Sequence, residues 1–215
     1  MAGGGRRTSL SRTTGSASGV VLAGGASQRF GAADKLSAVH AGMPLLHHAV
    51  LRLAEVTGDV VVVLAPGAPE PPMPPGAPVR FARDALDAQG PLVGALAGLG
   101  AVDREMAVVA GGDMPGLSTP VILEMFRVAG EADVDAVILH DGERRRPLPM
   151  VVRPGQASEI GHAMLHRGER SLRRWLDAMR VAVIDEAAWT ALDRARATLR
   201  DVDAPEDLDV GDGGQ

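Results

Sequence analysis

Apolar positions along the chain follow two rhythms. Three short runs, Gly19-Val-Val-Leu-Ala23, Val60-Val-Val-Val-Leu64 and Met106-Ala-Val-Val-Ala110, contain no polar side chain, the pattern of strands covered on both faces. Residues 45–56 and 92–102, lying between them, space their apolar residues at helical intervals instead. Further strands are expected near 79–82, 136–139, 148–152 and 181–184, and further helices over 117–129, 156–165 and 171–178. Strand, helix and strand in alternation imply right-handed crossovers. The predicted fold is α/β, a three-layer Rossmann-like sandwich with a mostly parallel sheet. Ligands in such sheets bind beyond the carboxyl ends of the strands, so the loops after Ala23 and Ala110 are where chemistry is expected.

Two stretches interrupt this alternation. Residues 1–18 are polar, rich in Gly, Ser and Thr, and free of acids, so they bury almost nothing and are predicted to form a disordered tail. Their Arg/Ser bias is followed by no apolar segment of an export signal. Residues 65–78 hold seven prolines in fourteen positions, which forbids helix and strand and predicts an extended surface connector. A proline-recognition ligand is the alternative use of that composition. One domain over 19–210 and a flexible end at 211–215 follow.

Composition narrows the function. The 215 residues are 46% apolar and 23% charged, with a net charge of -5, enough for one well-buried domain. Beyond the tail the arginines are interleaved with acids, which predicts no nucleic-acid face. Cysteine is absent, so disulfides, thiolate zinc sites and cysteine nucleophiles are excluded. No apolar run reaches the roughly 18 residues needed to span a bilayer; no membrane partner and a cytoplasmic location are expected.

The cations are twenty-one arginines and a single lysine, Lys35. It closes the loop Leu22-Ala-Gly-Gly-Ala-Ser-Gln-Arg-Phe-Gly-Ala-Ala-Asp-Lys35, directly after the first strand. An ammonium on a flexible stem can follow a phosphate oxygen during reaction better than a rigid guanidinium fork. The loop is neither a P-loop nor a dinucleotide fingerprint. Gly24 and Gly25 leave backbone N–H groups open to anionic oxygens, and Arg29 and Lys35 add charge, which fits a triphosphate cradle. A tight strand-exit turn with solvated cations would use the same residues.

Asp113, in Gly111-Gly-Asp-Met-Pro115 at the end of a buried strand, is placed to hold Mg²⁺, which takes one or two carboxylates plus phosphate oxygens. An Asp before a Pro is also a turn or N-cap residue. Gly90, Pro91 and Gly94 would let a helix N-terminus approach a base or ribose closely. A strand is expected to deliver Asp201 and Asp203 to one face before Pro205 begins a helix, so that both carboxylates meet metal or substrate. The six histidines show no ligand spacing.

Together these segments resemble the molybdenum cofactor guanylyltransferase (MobA-like) family of the nucleotidyltransferase superfamily, over about residues 19–210. The resemblance rests on Leu22-Ala-Gly-Gly with Arg29, Gly31 and Asp34-Lys35, then Asp84, Gly90-Pro91-Leu92 with Gly94, Gly112-Asp113-Met-Pro115 and Asp203-Ala-Pro-Glu-Asp-Leu208. His140-Asp-Gly-Glu143 running into Arg146-Pro147, and Gly168-Glu-Arg-Ser171, look like the family's molybdopterin-side segments. The resemblance implies a fold of the nucleotide-diphosphosugar-transferase type. It implies GTP contacts at Leu22, Ala23, Gly24, Lys35 and Asp84, Mg²⁺ at Asp113, and acceptor contacts at Arg146, Pro147, Asp201 and Asp203. It implies GTP and molybdenum-molybdopterin as substrates, with transient contacts to molybdopterin-insertion proteins and molybdoenzymes. Leu64-Ala65-Pro66 stands where many members have an Asn-rich nucleotide contact, Asp201 and Asp203 where some have Asn, and Ala204 where Thr is frequent. Cytidylyl transfer, a sugar-1-phosphate acceptor and a non-catalytic delivery chaperone are the alternatives.

Overall fold

In the computed structural model, residues 16–24, 35–84 and 90–212 are described. The strands are β1 (Ala17–Leu22), β2 (Val39–His40), β3 (Met43–Pro44), β4 (Asp59–Leu64), β5 (Val79–Arg83), β6 (Met106–Gly111), β7 (Ala136–His140), β8 (Arg145–Val152) and β9 (Val181–Ile184). The helices are α1 (Leu45–Ala54), α2 (Pro91–Gly100), α3 (Thr119–Glu131), α4 (Pro154–His166), α5 (Leu172–Asp177) and α6 (Glu186–Thr190). Seven strands form one sheet in the order β5-β4-β1-β6-β8-β7-β9, while β2 and β3 make a separate small hairpin. Strands β5, β4, β1 and β6 run parallel, β8 is antiparallel to both of its neighbours, and β9 is again parallel to β7.

The all-apolar runs are buried because helices cover both faces. Val21, Val60, Val62 and Val108 pack on one side with α1 and α3 residues such as Leu53 and Phe126. Val20, Val61, Val63 and Val109 pack on the other with Leu92, Leu96 and Trp175. Helix α2 lies close to the sheet because Gly98 has no side chain; a Cβ there would collide with Val20 Cγ1 and stand 2.9 Å from Val63 Cγ2. A polar group inside this core is satisfied, as where Trp175 Nε1 donates to the Ala157 carbonyl at 3.0 Å.

Several expectations shift. The first strand begins at Ala17, not Gly19, because the small residues assigned to the tail are buried and the Ser18 hydroxyl donates to Asp59 Oδ1 at 2.7 Å. Residues 65–78 carry no helix or strand, as their prolines require. The expected strand through Asp201 and Asp203 does not form. Its amides are taken elsewhere: Val202 N–H donates to the Asp113 carbonyl at 3.0 Å, and the N–H groups of Asp203 and Ala204 both donate to Asp207 Oδ2 at 2.9 Å. A 3₁₀ helix, Pro205–Asp212, follows and passes the expected domain end at residue 210. The tail residues 1–15 and the end 213–215 lie outside the described residues. No helix among the described residues is long and apolar enough to cross a membrane.

Candidate active site

From β1 the chain moves outward through β4 to β5, then returns to place β6 on the other side of β1. That reversal opens a crevice at the carboxyl ends of β1 and β6, the position where open α/β sheets bind ligands. The floor is a backbone contact: Gly112 N–H donates to the Leu22 carbonyl at 3.0 Å. Glycine at 112 suits this close contact, since a Cβ would stand 3.2 Å from Leu36 and 3.3 Å from the Leu22 oxygen.

Lys35 and Asp113 meet above this floor. Lys35 Nζ lies 2.7 Å from Asp113 Oδ2 and 3.4 Å from Asp203 Oδ1. The lysine side chain is 11% exposed, so its charge stays in the crevice instead of the bulk solvent. Asp113 does not cap the following helix: the N-cap of α3 is Ser118. The carboxylate is therefore left for chemistry. Two carboxylate oxygens converging on one ammonium form a donor set that a hard divalent cation also fits. No cluster of three or more acidic, His or Cys ligands exists among the described residues. A cation at Asp113 and Asp203 would complete its shell with phosphate oxygens and water, as Mg²⁺ does.

The second wall is Asp84, one residue beyond β5. Its N–H donates to the Leu64 carbonyl at 3.0 Å. Its carboxylate sits between two glycines: a Cβ on Gly24 would stand 3.5 Å from Oδ2, and one on Gly94, in the first turn of α2, 3.3 Å from Oδ1 and 3.6 Å from Leu22. Oδ1 is buried with no hydrogen-bond partner among the described residues, and burial pushes the carboxyl pKa up. A buried acceptor without a donor costs about 1–3 kcal/mol, a cost that a donor on a bound ligand would relieve. Leu22, Gly24, Asp84 and Gly94 thus lie together at the crevice. Gly90 caps α2 at a φ of 104° with Pro91 behind it. Ala23 N–H donates to the Val63 carbonyl at 2.9 Å, fixing the exit of β1. The expectations placed on Gly25, Arg29, Gly31 and Asp34 lie outside the described residues.

On the far side of the crevice the two motifs read as acceptor segments are built mainly as turns. Asp141 Oδ1 accepts from the N–H groups of Glu143 and Arg144 at 3.0 and 2.9 Å, and these backbone bonds, with Arg146, draw its pKa down to about 2. Glu169 Oε1 accepts from Arg170 N–H and Ser171 N–H at 2.9 and 3.0 Å, and Ser171 caps α5. Arg170 joins this turn through NH1, which donates to the Gly168 carbonyl at 2.9 Å. Its Nε is buried without a partner among the described residues, and its Cβ packs where a Cβ on Gly90 would come within 3.3 Å. The turn at residues 168–171 thereby touches the start of α2, a contact that no sequence pattern announced.

Arg146 and Asp201 are paired at 3.1 Å. Burial, then repulsion from Asp113 and Asp203, pushes the Asp201 pKa up to about 6, against the pull of Arg146 and Lys35. Asp201 and Asp203 reach the crevice from an irregular segment, not a strand. Pro147 lies in β8 next to Arg146. The anchor of this segment was invisible in sequence: buried Asp193 Oδ2 accepts from Thr198 N–H and Oγ1 at 2.8 and 2.7 Å. Four of the six histidines meet backbone: His40 Nδ1 lies 3.0 Å from the Leu208 oxygen, His47 Nε2 2.8 Å from that of Pro72, His48 Nε2 2.7 Å from that of His40, and His140 Nδ1 accepts from Gly142 N–H at 3.1 Å.

Known proteins place this geometry. Residues 19–183 match the MobA-like NTP transferase domain. A probable molybdenum cofactor guanylyltransferase of Natronomonas pharaonis is 30% identical over 197 residues, covering 91% of this chain and 96% of its own. A probable molybdenum cofactor guanylyltransferase of Mycobacterium tuberculosis is 34% identical over 185 residues, covering 82% and 89%. The crystal structure of molybdopterin-guanine dinucleotide biosynthesis protein A from Archaeoglobus fulgidus superposes with a TM-score of 0.72 at 21% identity, covering 89% of this chain and 94% of that one. With the domain matched across most of its length and curated relatives matched nearly end to end, the chain belongs to the MobA-like NTP transferase family and is a nucleotidyltransferase.

Proposed function

We propose that the protein transfers GMP from Mg²⁺-bound GTP to the terminal phosphate of molybdenum-bound molybdopterin. An acceptor phosphate oxygen bonds to the α-phosphorus, the bond from that phosphorus to the bridging oxygen of the β-phosphate breaks, and pyrophosphate leaves. The observation that carries this reading is the Lys35–Asp113 pair at 2.7 Å in the switch-point crevice, beside the glycine-lined notch of Asp84.

Transfer of this kind depends on positioning and charge neutralisation more than on a nucleophilic side chain. The attacking phosphate is already ionised, so no general base is needed. Asp113 and Asp203 would hold Mg²⁺, which when bound supplies Lewis-acid neutralisation of the phosphates. Lys35 exchanges its carboxylate partner for phosphate oxygens and offsets the negative charge growing toward the leaving group. The glycine at 24 leaves backbone close to the phosphates.

Asp84 supports guanine. Its acceptor-only carboxylate matches the adjacent N1–H and N2–H donors of guanine, whereas the pairing edge of cytosine offers one amino group followed by two acceptors. The names of the curated relatives point the same way. Pyrophosphate release in steady state, with molybdenum-molybdopterin and Mg²⁺, tests the reading. Release from GTP that requires the acceptor supports it; release from CTP in preference to GTP overturns the guanylyl assignment.

A further inference from the structure

Arg146, at the start of β8, has its guanidinium committed to the protein itself. NH1 donates to Asp141 Oδ2 at 3.3 Å, and NH2 donates to Asp201 Oδ2 at 3.1 Å and to the Leu199 carbonyl at 3.4 Å. The side chain is 19% exposed. These acceptors belong to two separate pieces of chain. Asp141 is in the β7–β8 turn, rigid because its other oxygen binds two backbone amides. Leu199 ends a short 3₁₀ helix, Ala197–Leu199, and Asp201 lies in the irregular stretch after it that carries Asp203 to Lys35. A planar fork reaches the two pieces with separate arms, NH1 to one and NH2 to the other, where a lysine would offer a single nitrogen.

We propose that Arg146 is a positioning residue: by clamping the 199–203 segment to the β7–β8 turn it keeps the Asp203 carboxylate at Lys35 and Asp113, instead of binding the acceptor directly. This inference rests on the reading of Asp113 and Asp203 as the carboxylates that hold the metal. The clamp acts beside a second tie, Val202 N–H to the Asp113 carbonyl at 3.0 Å. Loosening Arg146 therefore loosens the link between the segment and the metal-side loop.

The test uses the full chain, Mn²⁺ as the probe metal followed by electron paramagnetic resonance with a non-hydrolysable GTP analogue, and amide hydrogen exchange at Val202. Arg146→Ala is expected to weaken Mn²⁺ binding about tenfold, the usual loss on removing a residue that orients a metal ligand. Asp203→Ala should weaken it similarly, the two together no more than either alone, and Val202 should exchange faster in the Arg146 variant. Arg146→Lys should recover part of the loss at most. Since Arg146→Ala leaves Asp201 without its partner, Arg146→Ala with Asp201→Asn carries the same measurement if the single variant does not fold. Unchanged Mn²⁺ affinity and Val202 exchange, with a raised KM for molybdopterin alone, would overturn the proposal and make Arg146 an acceptor ligand. Should Asp203→Ala leave Mn²⁺ binding intact, the metal reading of Asp203 fails, and the clamp stands or falls on Val202 exchange.

Discussion

Lys35 Nζ and Asp113 Oδ2 stand 2.7 Å apart, so the chain's one lysine occupies the same carboxylate oxygen that a metal would use. Lys35→Ala should therefore have two opposed effects. Freed of its ammonium partner, the Asp113–Asp203 pair should bind Mn²⁺ more tightly in the absence of nucleotide, by on the order of tenfold, because the two carboxylates are left uncompensated. Turnover should fall by on the order of 10²-fold, since a cation aimed at developing charge is lost. A Mn²⁺ titration alongside steady-state pyrophosphate release reads both. A fall in both quantities would contradict the competition.

Asp113→Ala should abolish turnover, by on the order of 10²- to 10³-fold, with the melting temperature nearly preserved. The structural duty at this position is backbone, the carbonyl that accepts from Val202 N–H, and Ala keeps it. Thermal melting by circular dichroism, paired with the rate, separates loss of chemistry from loss of fold.

Asp84→Asn should blunt guanine recognition. With the carboxylate, GTP should bind roughly tenfold better than ITP, which lacks the 2-amino group, a margin of one hydrogen bond to a charged acceptor. With the amide, most of that margin should disappear, as measured by competition against a fluorescent nucleotide. An unchanged GTP/ITP ratio would remove Asp84 from base recognition.

Asp201 should make stability depend on pH in a defined sense. Its folded pKa of about 6 lies above the ordinary carboxylate value, so the folded protein binds this proton more readily than the unfolded chain does. The charged carboxylate then costs stability above pH 6, and that cost is relieved as pH falls through 6. Asp201→Asn should raise the melting temperature at pH 7 relative to the parent, and the gap should shrink by pH 5. Scanning fluorimetry of the pair at both values checks the difference, in which titrating groups not coupled to residue 201 cancel.

The central strands β1, β4 and β6 were legible because they are written as short unbroken apolar runs, and the same glycines and prolines that follow them mark the crevice. Lys35 and Asp113 were readable from rarity and position. What could not be read came from contacts distant in sequence. Asp201 and Asp203 lie two apart, a spacing that suggests a strand, yet Asp207 and the Asp113 carbonyl take the amides a sheet would need. Ser18 looked like tail composition until Asp59 supplied its partner. Arg146 carried the chemistry of a phosphate ligand, and its three protein acceptors became visible only once the β7–β8 turn and the C-terminal segment were side by side. Arg170 against Gly90 is a contact of the same kind.

The central claim is transfer of a guanylyl group, and it is tested most directly by following the label from nucleotide radiolabelled at the α-phosphate. With molybdenum-molybdopterin and Mg²⁺, label from GTP should enter the cofactor in step with pyrophosphate release, label from CTP should stay with the nucleotide, and chelating the metal should stop the transfer. Label entering from CTP at a rate equal to or above that from GTP, or transfer that persists without a divalent ion, would contradict the account.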